Sequence, residues 1–240
     1  MVFNEYGKLY DDIYKDKDYV KESEDIEKII RMFLFTNERQ LKMLDLGCGT
    51  GTHAKLFTEQ GFDVTGVDFS KEMIDIAKKK NPGGKFLVDN IANFKSEEKF
   101  DVAVALFHVV SYLTDYTDIS NFFQNVYNNT TDAMLLIFDV WCGNGVLTDP
   151  PSKRMKHLNE NMVRLADPTV DHTRQTVDVR YIIKNEGKKD IEETHTMRYF
   201  FATEIAAYLG LAGFEIMSLE PKKVKRDTWN LQFVCKKWKK

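Results

Sequence analysis

Between Asp18 and Phe35 the apolar residues Ile26, Ile29, Ile30, Phe33 and Leu34 recur at helical spacing, with Lys, Glu and Asp filling the other positions. This is the pattern of an amphipathic helix. From Leu41 onward, short apolar runs alternate with helical segments, the order of a parallel sheet with crossover helices. Strands are predicted over 41–46, 62–67, 85–88, 100–106 and 133–140, and helices over 53–60, 71–80 and 119–128. Ser70 stands where an N-cap belongs, with Glu72 in the first turn. After Val140 the pattern changes, because Cys142-Gly143-Asn144-Gly145 and Pro150-Pro151 break regular structure. Beyond them Val177, Val179, Tyr181 and Ile183 alternate with Thr176, Asp178 and Arg180, and a second alternating run covers 194–201. The turn between them, Lys184 to Lys188, makes a hairpin. A helix over 203–211 ends at Gly213, and 214–219 and 231–235 are predicted as two last strands.

With no internal repeat and no linker rich in Gly, Ser or Pro, 141–200 reads as an excursion from one α/β domain. The length, 240 residues, fits one elaborated domain against about 150 residues for a typical one. The expected organisation is a single domain, 1–240, with a helical cap (1–36), a ligand-binding core (37–140), an antiparallel insertion (141–200) and completion of the core sheet (201–240). Composition changes this picture little, since 43% hydrophobic and 30% charged residues are ordinary for a packed protein. Charge excludes more. Lys and Arg number 34 against 37 Asp and Glu, a net charge of −3, without the basic bias needed to track a phosphate backbone. The basic tail of Lys236, Lys237, Lys239 and Lys240 reads as a solvated end. No stretch is long and apolar enough to span a bilayer, and the N-terminus has no apolar run of a leader. Three cysteines, Cys48, Cys142 and Cys235, are widely spaced and signal neither a disulfide framework nor a metal site. A cytoplasmic protein that binds neither nucleic acid nor membrane nor metal is expected.

The chemistry concentrates at Leu44-Asp45-Leu46-Gly47-Cys48-Gly49-Thr50-Gly51-Thr52-His53. A strand entering a glycine-dense turn and then a helix presents backbone N–H groups to a ligand over the strand's carboxyl end. Thr52 stands where the dinucleotide fingerprint needs its third glycine, and no Gly-Lys-Ser/Thr follows for a phosphate loop. Asp45 would repel a phosphate and attract an ammonium. Asp68, at the end of the second strand, is placed to accept from ribose hydroxyls. Asp89, at the end of the third, could accept from an adenine amine while a neighbouring N–H meets a ring nitrogen. Ammonium, ribose and adenine together describe S-adenosyl-L-methionine. For each acid the alternative is a cap or turn residue, and Asp89-Asn90 is also ordinary turn chemistry.

Asp45-Leu46-Gly47-Cys48-Gly49-Thr50-Gly51 resembles the first motif of the class I S-adenosylmethionine-dependent methyltransferases. The resemblance implies a Rossmann-like sheet of seven strands with helices on both faces and an antiparallel β insertion after strand 5. It implies that Asp45, Gly47 and Gly49 surround the methionine part of the cofactor, with Cys48 small and inert within the turn. Asp68 would hold the ribose, Phe69 and Met73 flank the adenine, and Asp89, Asn90 and Ile91 read its edge. The segment after the fourth strand, Leu106-Phe107-His108-Val109-Val110-Ser111-Tyr112, would face the methyl group. It lacks the Asn-Pro-Pro-Tyr or Asp-Pro-Pro-Tyr motif of enzymes that methylate adenine or glutamine amides.

The whole chain resembles the sugar-modifying branch, the N,N-dimethyltransferases of nucleotide-linked amino sugars and relatives in surface-polysaccharide pathways. Four segments carry this likeness: Tyr6 to Tyr14 with Lys17-Asp18-Tyr19, then 107–113, then Phe138-Asp139-Val140-Trp141, then Glu193 to Phe200. It implies a small-molecule acceptor, an amine or hydroxyl on a nucleotide-linked sugar, with His108 or Tyr112 taking the proton. In the antibiotic-sugar enzymes a histidine studied as a base lies in this segment, where Tyr112 stands here and His108 lies four residues earlier, so the base is unassigned. The insertion forms substrate walls in the family, and dimer contacts in some members, which makes 141–200 the expected homodimer surface. His195 reads either as a base or substrate donor or as a satisfied histidine on a half-buried strand. Tyr181 and Arg198 carry the same alternatives. Tyr6, Tyr14 and Tyr19 either close over the ligands or anchor the first helix. Trp141 is a sugar platform or core. Two rivals stand beside this reading: a glycine-type small-amine N-methyltransferase, for which the 141–200 wall would be surplus, and a catalytically idle cofactor-binding module.

Overall fold

The computed structural model describes residues 3, 5–34, 39–221 and 229–238. Phe35, Lys239 and Lys240, parts of the predicted first helix and basic tail, lie outside the described residues. The chain opens with α1 (Glu5–Lys8), α2 (Tyr10–Ile13) and α3 (Tyr19–Phe33), then β1 (Lys42–Leu46), α4 (Thr52–Glu59) and β2 (Asp63–Asp68). Next come α5 (Lys71–Lys80), β3 (Lys85–Val88), β4 (Phe100–Ala105), α6 (Tyr116–Asn129), β5 (Thr130–Cys142) and α7 (Gly143–Thr148). Four strands follow: β6 (Arg154–Asn159), β7 (Met162–Asp171), β8 (Thr176–Asn185) and β9 (Ile191–Phe200). The chain ends with α8 (Ala202–Ala212), β10 (Phe214–Pro221) and β11 (Asn230–Lys237).

Strands β3, β2, β1, β4 and β5 run parallel in that order, β11 pairs antiparallel with β5, and β10 pairs with β11. This is the expected Rossmann-like core sheet of seven strands. Caps fix the helix starts: Asp18 accepts from Lys21 N–H at 2.9 Å for α3, and Ser70 from Met73 N–H at 3.3 Å for α5. Ile26 and Ile30 of α3, Phe57 of α4 and Ile74 of α5 cover one sheet face against Val102, Val104, Leu135 and Ile137. Phe122 and Phe123 of α6 with Ile205 and Leu209 of α8 cover the other, where the Phe138 and Phe233 rings stack at 5.0 Å. Each such side chain contributes about 1.5–3 kcal/mol by leaving water. With both faces covered, the sheet's carboxyl edge is left for ligands.

Strands β6 to β9 form an antiparallel wall. It meets the core where β9 runs parallel to β5, through Trp141↔Tyr199 and Cys142↔Phe200. The hairpin β8–β9 was legible in the alternation, whereas β6 and β7 were not. Strand β6 is mostly polar and exposed, and β7 contains Pro168, which argues against a strand. The structure accommodates it because β6 partners β7 only as far as Ala166. The glycines after Cys142, read as a break, instead pass β5 directly into α7. The N-terminal segment divides its packing: α3 lies on the core sheet, while Tyr6 and Ile13 of α1 and α2 pack on Leu158, Met162 and Ile183 of the wall. No helix among the described residues is long and apolar enough to cross a membrane.

Arg198 takes the structural one of its two alternatives and is not a substrate residue. It is 1% exposed, ion-paired through Nη2 to Glu204 Oε1 at 2.6 Å and donating to Gln175 Oε1 at 3.2 Å, with its guanidinium over the Tyr116 ring. It ties β9 to α8 and does not line the ligand cavity. Alternation alone could not tell which face of β9 it takes. Arg198→Ala is therefore expected to lower the unfolding free energy by about 3 kcal/mol, the low end for stranding one partner of a buried pair. Urea denaturation measures this, and unchanged stability would undo the structural role.

Candidate active site

The turn after β1 is bent by two hydrogen bonds, from Gly47 N–H and Cys48 N–H to Val67 O at 2.7 and 3.1 Å. Gly47 has φ of 73°, and a Cβ there would stand 2.5 Å from both Val109 methyl carbons. Only glycine lets the turn lie this close to the segment after β4. Asp68 accepts from Gly49 N–H at 3.0 Å and from Ser70 N–H at 2.9 Å, so it ties the first two strand ends together. Burial raises its pKa, against the pull of those two N–H groups. Each oxygen still has a lone pair for a ribose hydroxyl.

Asp45 lies beneath the turn. It is buried, does not line the cavity, and its Oδ2 has no hydrogen-bond partner among the described residues. Burial, and secondarily the charge of Asp68, push its carboxyl up to about 7. Two neighbouring buried carboxyls without a cation between them fit a ligand that brings one. The ammonium of S-adenosylmethionine would meet that requirement electrostatically, across the turn.

A cavity of about 670 Å³ extends from this turn to the wall. Gly47, Gly49, Asp68, Phe69, Met73, Asn90, Ile91, Leu106 and Tyr14 line the side expected for cofactor, and His108, Tyr112, Trp141, Tyr6, Tyr181 and His195 line the rest. Phe69 offers a 43% exposed ring, while Met73 is buried behind it. Two further expected cofactor residues are not brought in. The Cys48 sulfur packs where a Cβ on Gly66 would stand, 2.8 Å from it, and borders a smaller recess behind the turn. Asp89 is exposed, and its Oδ1 accepts from Asn90 N–H at 2.7 Å, the turn alternative realised. Phe107, from the segment expected to face the methyl group, lines the cavity too, and Phe3, Tyr10, Arg154, Thr194 and Trp229 join it without having been given a site role from the sequence. The aromatic spacing of the N-terminal segment was the available signal for Tyr10.

Phe107 and His108 both take the left-handed conformation, with φ of 66° and 64°. Each costs about 1–2 kcal/mol for a residue with a Cβ. Asp139, fully buried at the end of β5, offsets this: it accepts from His108 N–H at 2.7 Å and from Asn230 Nδ2 at 3.0 Å. His108 Nδ1 lies 3.9 Å from Asp139 Oδ2, and its ring stands 6.1 Å from that of Trp141. The Trp141 backbone is pinned in turn, donating to Ser111 Oγ at 2.9 Å.

On the opposite side, Tyr112 Oη and His195 Nδ1 are 2.9 Å apart, and His195 Nε2 lies 3.3 Å from Glu193 Oε2. Rings of Phe3, Tyr6, Tyr112 and Tyr181 surround the imidazole. Burial among them lowers the His195 pKa, partly countered by Glu193. Burial raises that of Tyr112 well above the ordinary phenol value. At neutral pH the pair is a neutral imidazole facing a protonated phenol.

The sequence pattern of the methyltransferase domain family matches residues 43–132, the segment that holds the glycine turn and β1 to β4. The chain carries a class I S-adenosylmethionine-dependent methyltransferase domain. Over 222 residues this methyltransferase is 22% identical to dTDP-3-amino-3,4,6-trideoxy-alpha-D-glucopyranose N,N-dimethyltransferase of Streptomyces venezuelae, covering 90% of this chain and 92% of that one. In fold it is similar to an S-adenosylmethionine-dependent methyltransferase from Clostridium acetobutylicum, with a TM-score of 0.83, 21% identity and full coverage of both chains. It is also similar to a cofactor-bound amino pentose methyltransferase from Micromonospora echinaspora, with a TM-score of 0.77 and 19% identity over 99% of this chain and 98% of that one.

The raised Asp45 pKa gives the methyltransferase a signed pH dependence. A bound cation favours the ionised carboxyl, so binding expels a proton below pH ~7 and affinity falls as pH drops, by up to about tenfold per unit. Titration calorimetry with adenosylhomocysteine between about pH 6 and pH 8, in buffers of different ionisation enthalpy, reads both effects. A flat affinity without proton release would place the ammonium away from Asp45. Asp68→Ala is expected to weaken the same binding by about 10–100-fold, the loss of one or two hydrogen bonds to a charged group.

Proposed function

We propose that the methyltransferase acts on an amine of a nucleotide-linked sugar. The observation that carries this reading is the wall: the cavity does not end at the cofactor turn but continues beneath β8 and β9. A glycine-sized acceptor would leave that space unfilled. Trp141, Tyr6 and Tyr181 supply flat apolar surfaces, and Thr194, His195 and Thr196 supply hydrogen-bonding groups, the mixture that suits a sugar ring. Where Arg154 lies over Trp229 at 5.0 Å, the lining offers a cation and a ring to a phosphate and a base. The N,N-dimethyltransferase of Streptomyces venezuelae and the amino pentose methyltransferase, similar over nearly the whole chain, favour an amine over a hydroxyl.

Bound S-adenosylmethionine supplies a methyl group on a positively charged sulfur, which a lone pair takes by in-line displacement. The protein's share is to align that lone pair, exclude water and remove the acceptor's proton. The Asp139 tie fixes the backbone of Phe107 and His108, and with it the edge past which the acceptor must reach. The N-terminal aromatic residues cover the cavity and keep water from it.

Calorimetry with adenosylhomocysteine followed by a methyl-release assay tests the reading on three acceptor sets: dTDP-amino sugars, their hydroxyl counterparts, and glycine. Turnover on the amino sugars is expected; turnover confined to glycine, or cofactor binding with no release on any acceptor, would overturn it. His108→Ala is expected to lower kcat by about 10²-fold with adenosylhomocysteine affinity nearly unchanged. Equal loss of both would remove His108 from the acceptor side.

A further inference from the structure

Glu193 was not singled out from the sequence, and it does not line the cavity. Its carboxylate nevertheless joins the N-terminal segment to the His195 imidazole. Oε2 accepts from Phe3 N–H at 2.7 Å and lies 3.3 Å from His195 Nε2, while Oε1 accepts from Tyr6 N–H at 3.1 Å. A carboxylate is an acceptor, and it demands a proton on Nε2, the imidazole nitrogen that faces it. In the neutral ring Nδ1 is then an acceptor, and the hydroxyl 2.9 Å away, that of Tyr112, must donate to it. The phenol oxygen is left with lone pairs, and Tyr112 and His195 both line the cavity.

We propose that Glu193 is a positioning residue that sets the tautomer of His195 and makes Tyr112 and His195 a proton relay for the acceptor. The inference rests on the acceptor reading above. In the step, the acceptor amine in its protonated, ammonium form gives an N–H proton to Tyr112 Oη as the Tyr112 proton passes to His195 Nδ1. The acceptor keeps the electron pair that takes up the methyl group. No tyrosinate accumulates, which agrees with the burial of Tyr112, and the imidazolium formed is compensated by the Glu193 carboxylate. The same logic lets a buried acid orient a histidine base in hydrolases. The other groups facing the pair are Arg164, which donates to Tyr6 Oη at 3.1 Å and opposes a second positive charge, the phenols of Tyr6, Tyr14 and Tyr181, and the more distant Asp68.

The first test needs no acceptor. Nitrogen-15 NMR of histidine-labelled protein, with the His195 signals assigned by their loss in His195→Gln, is expected to show the Nε2–H tautomer near neutral pH. The Nδ1–H tautomer would overturn the proposal, because Tyr112 would then have nothing to donate to. The second test is Glu193→Gln, which keeps the size and one acceptor oxygen but removes the charge. Its kcat on the acceptor is expected to fall by about 10–100-fold, with KM and adenosylhomocysteine affinity within about threefold and the His195 pKa below that of the parent protein. A rise in KM with kcat unchanged would show that Glu193 only anchors the N-terminal segment, and would overturn the relay. Tyr112→Phe is expected to lose kcat similarly while keeping the Nε2–H tautomer. Absence of parent turnover on every acceptor would sink the acceptor reading alone, since the tautomer still decides the relay.

Discussion

Asp139 has no solvent, sits at the end of a central strand and holds two other chain segments by their N–H groups. The left-handed pair Phe107–His108 persists because that carboxylate over-determines it, and Val109, next in sequence, then falls against Gly47 at a distance no side chain would permit. The cofactor turn and the acceptor-facing segment are thus two sides of one contact. A change at β5, β11 or the glycine turn is transmitted to the others through atoms already touching, since packed interiors do not deform gradually.

The two halves of the cavity are built from different materials. The cofactor half uses backbone N–H groups and buried carboxyls, with Asp68 stitching β1 to β2 while keeping free lone pairs. The acceptor half uses rings. Phe3, Tyr6 and Tyr10 descend from the N-terminal segment, Tyr181 rises from the wall, and Arg164 lies among the Tyr6 and Tyr181 rings and reaches Tyr14 on the cofactor side. Aromatic side chains suit this place because they fill volume with few rotatable bonds and still offer hydroxyl groups.

The parallel core was legible because its inner strands are buried on both faces and separated by amphipathic helices, two signals that survive in a single sequence. The glycine turn and Asp68 were legible for the same local reason, their chemistry being set by neighbours in the chain. Three kinds of feature were not. Pro168 and the polar β6 hid half of the wall, because an edge strand needs little apolar character. Arg198 was left between two roles because a two-residue period names a face without saying which side holds ligand. Glu193 was passed over because its partners, Phe3, Tyr6 and His195, come from two distant parts of the chain, and only the fold brings them to one carboxylate.

The join between wall and core, the two residue pairs linking β9 to β5, bears on how such a protein diversifies. The wall is one uninterrupted stretch of chain whose strands partner mainly one another, so a hairpin can lengthen, shorten or change its inner side chains without re-registering the parallel sheet. Donor recognition is spread over several strand ends that must stay in step. Acceptor choice can therefore drift in a lineage while the donor half is held fixed, and different acceptors can be served on a scaffold that keeps a single cofactor.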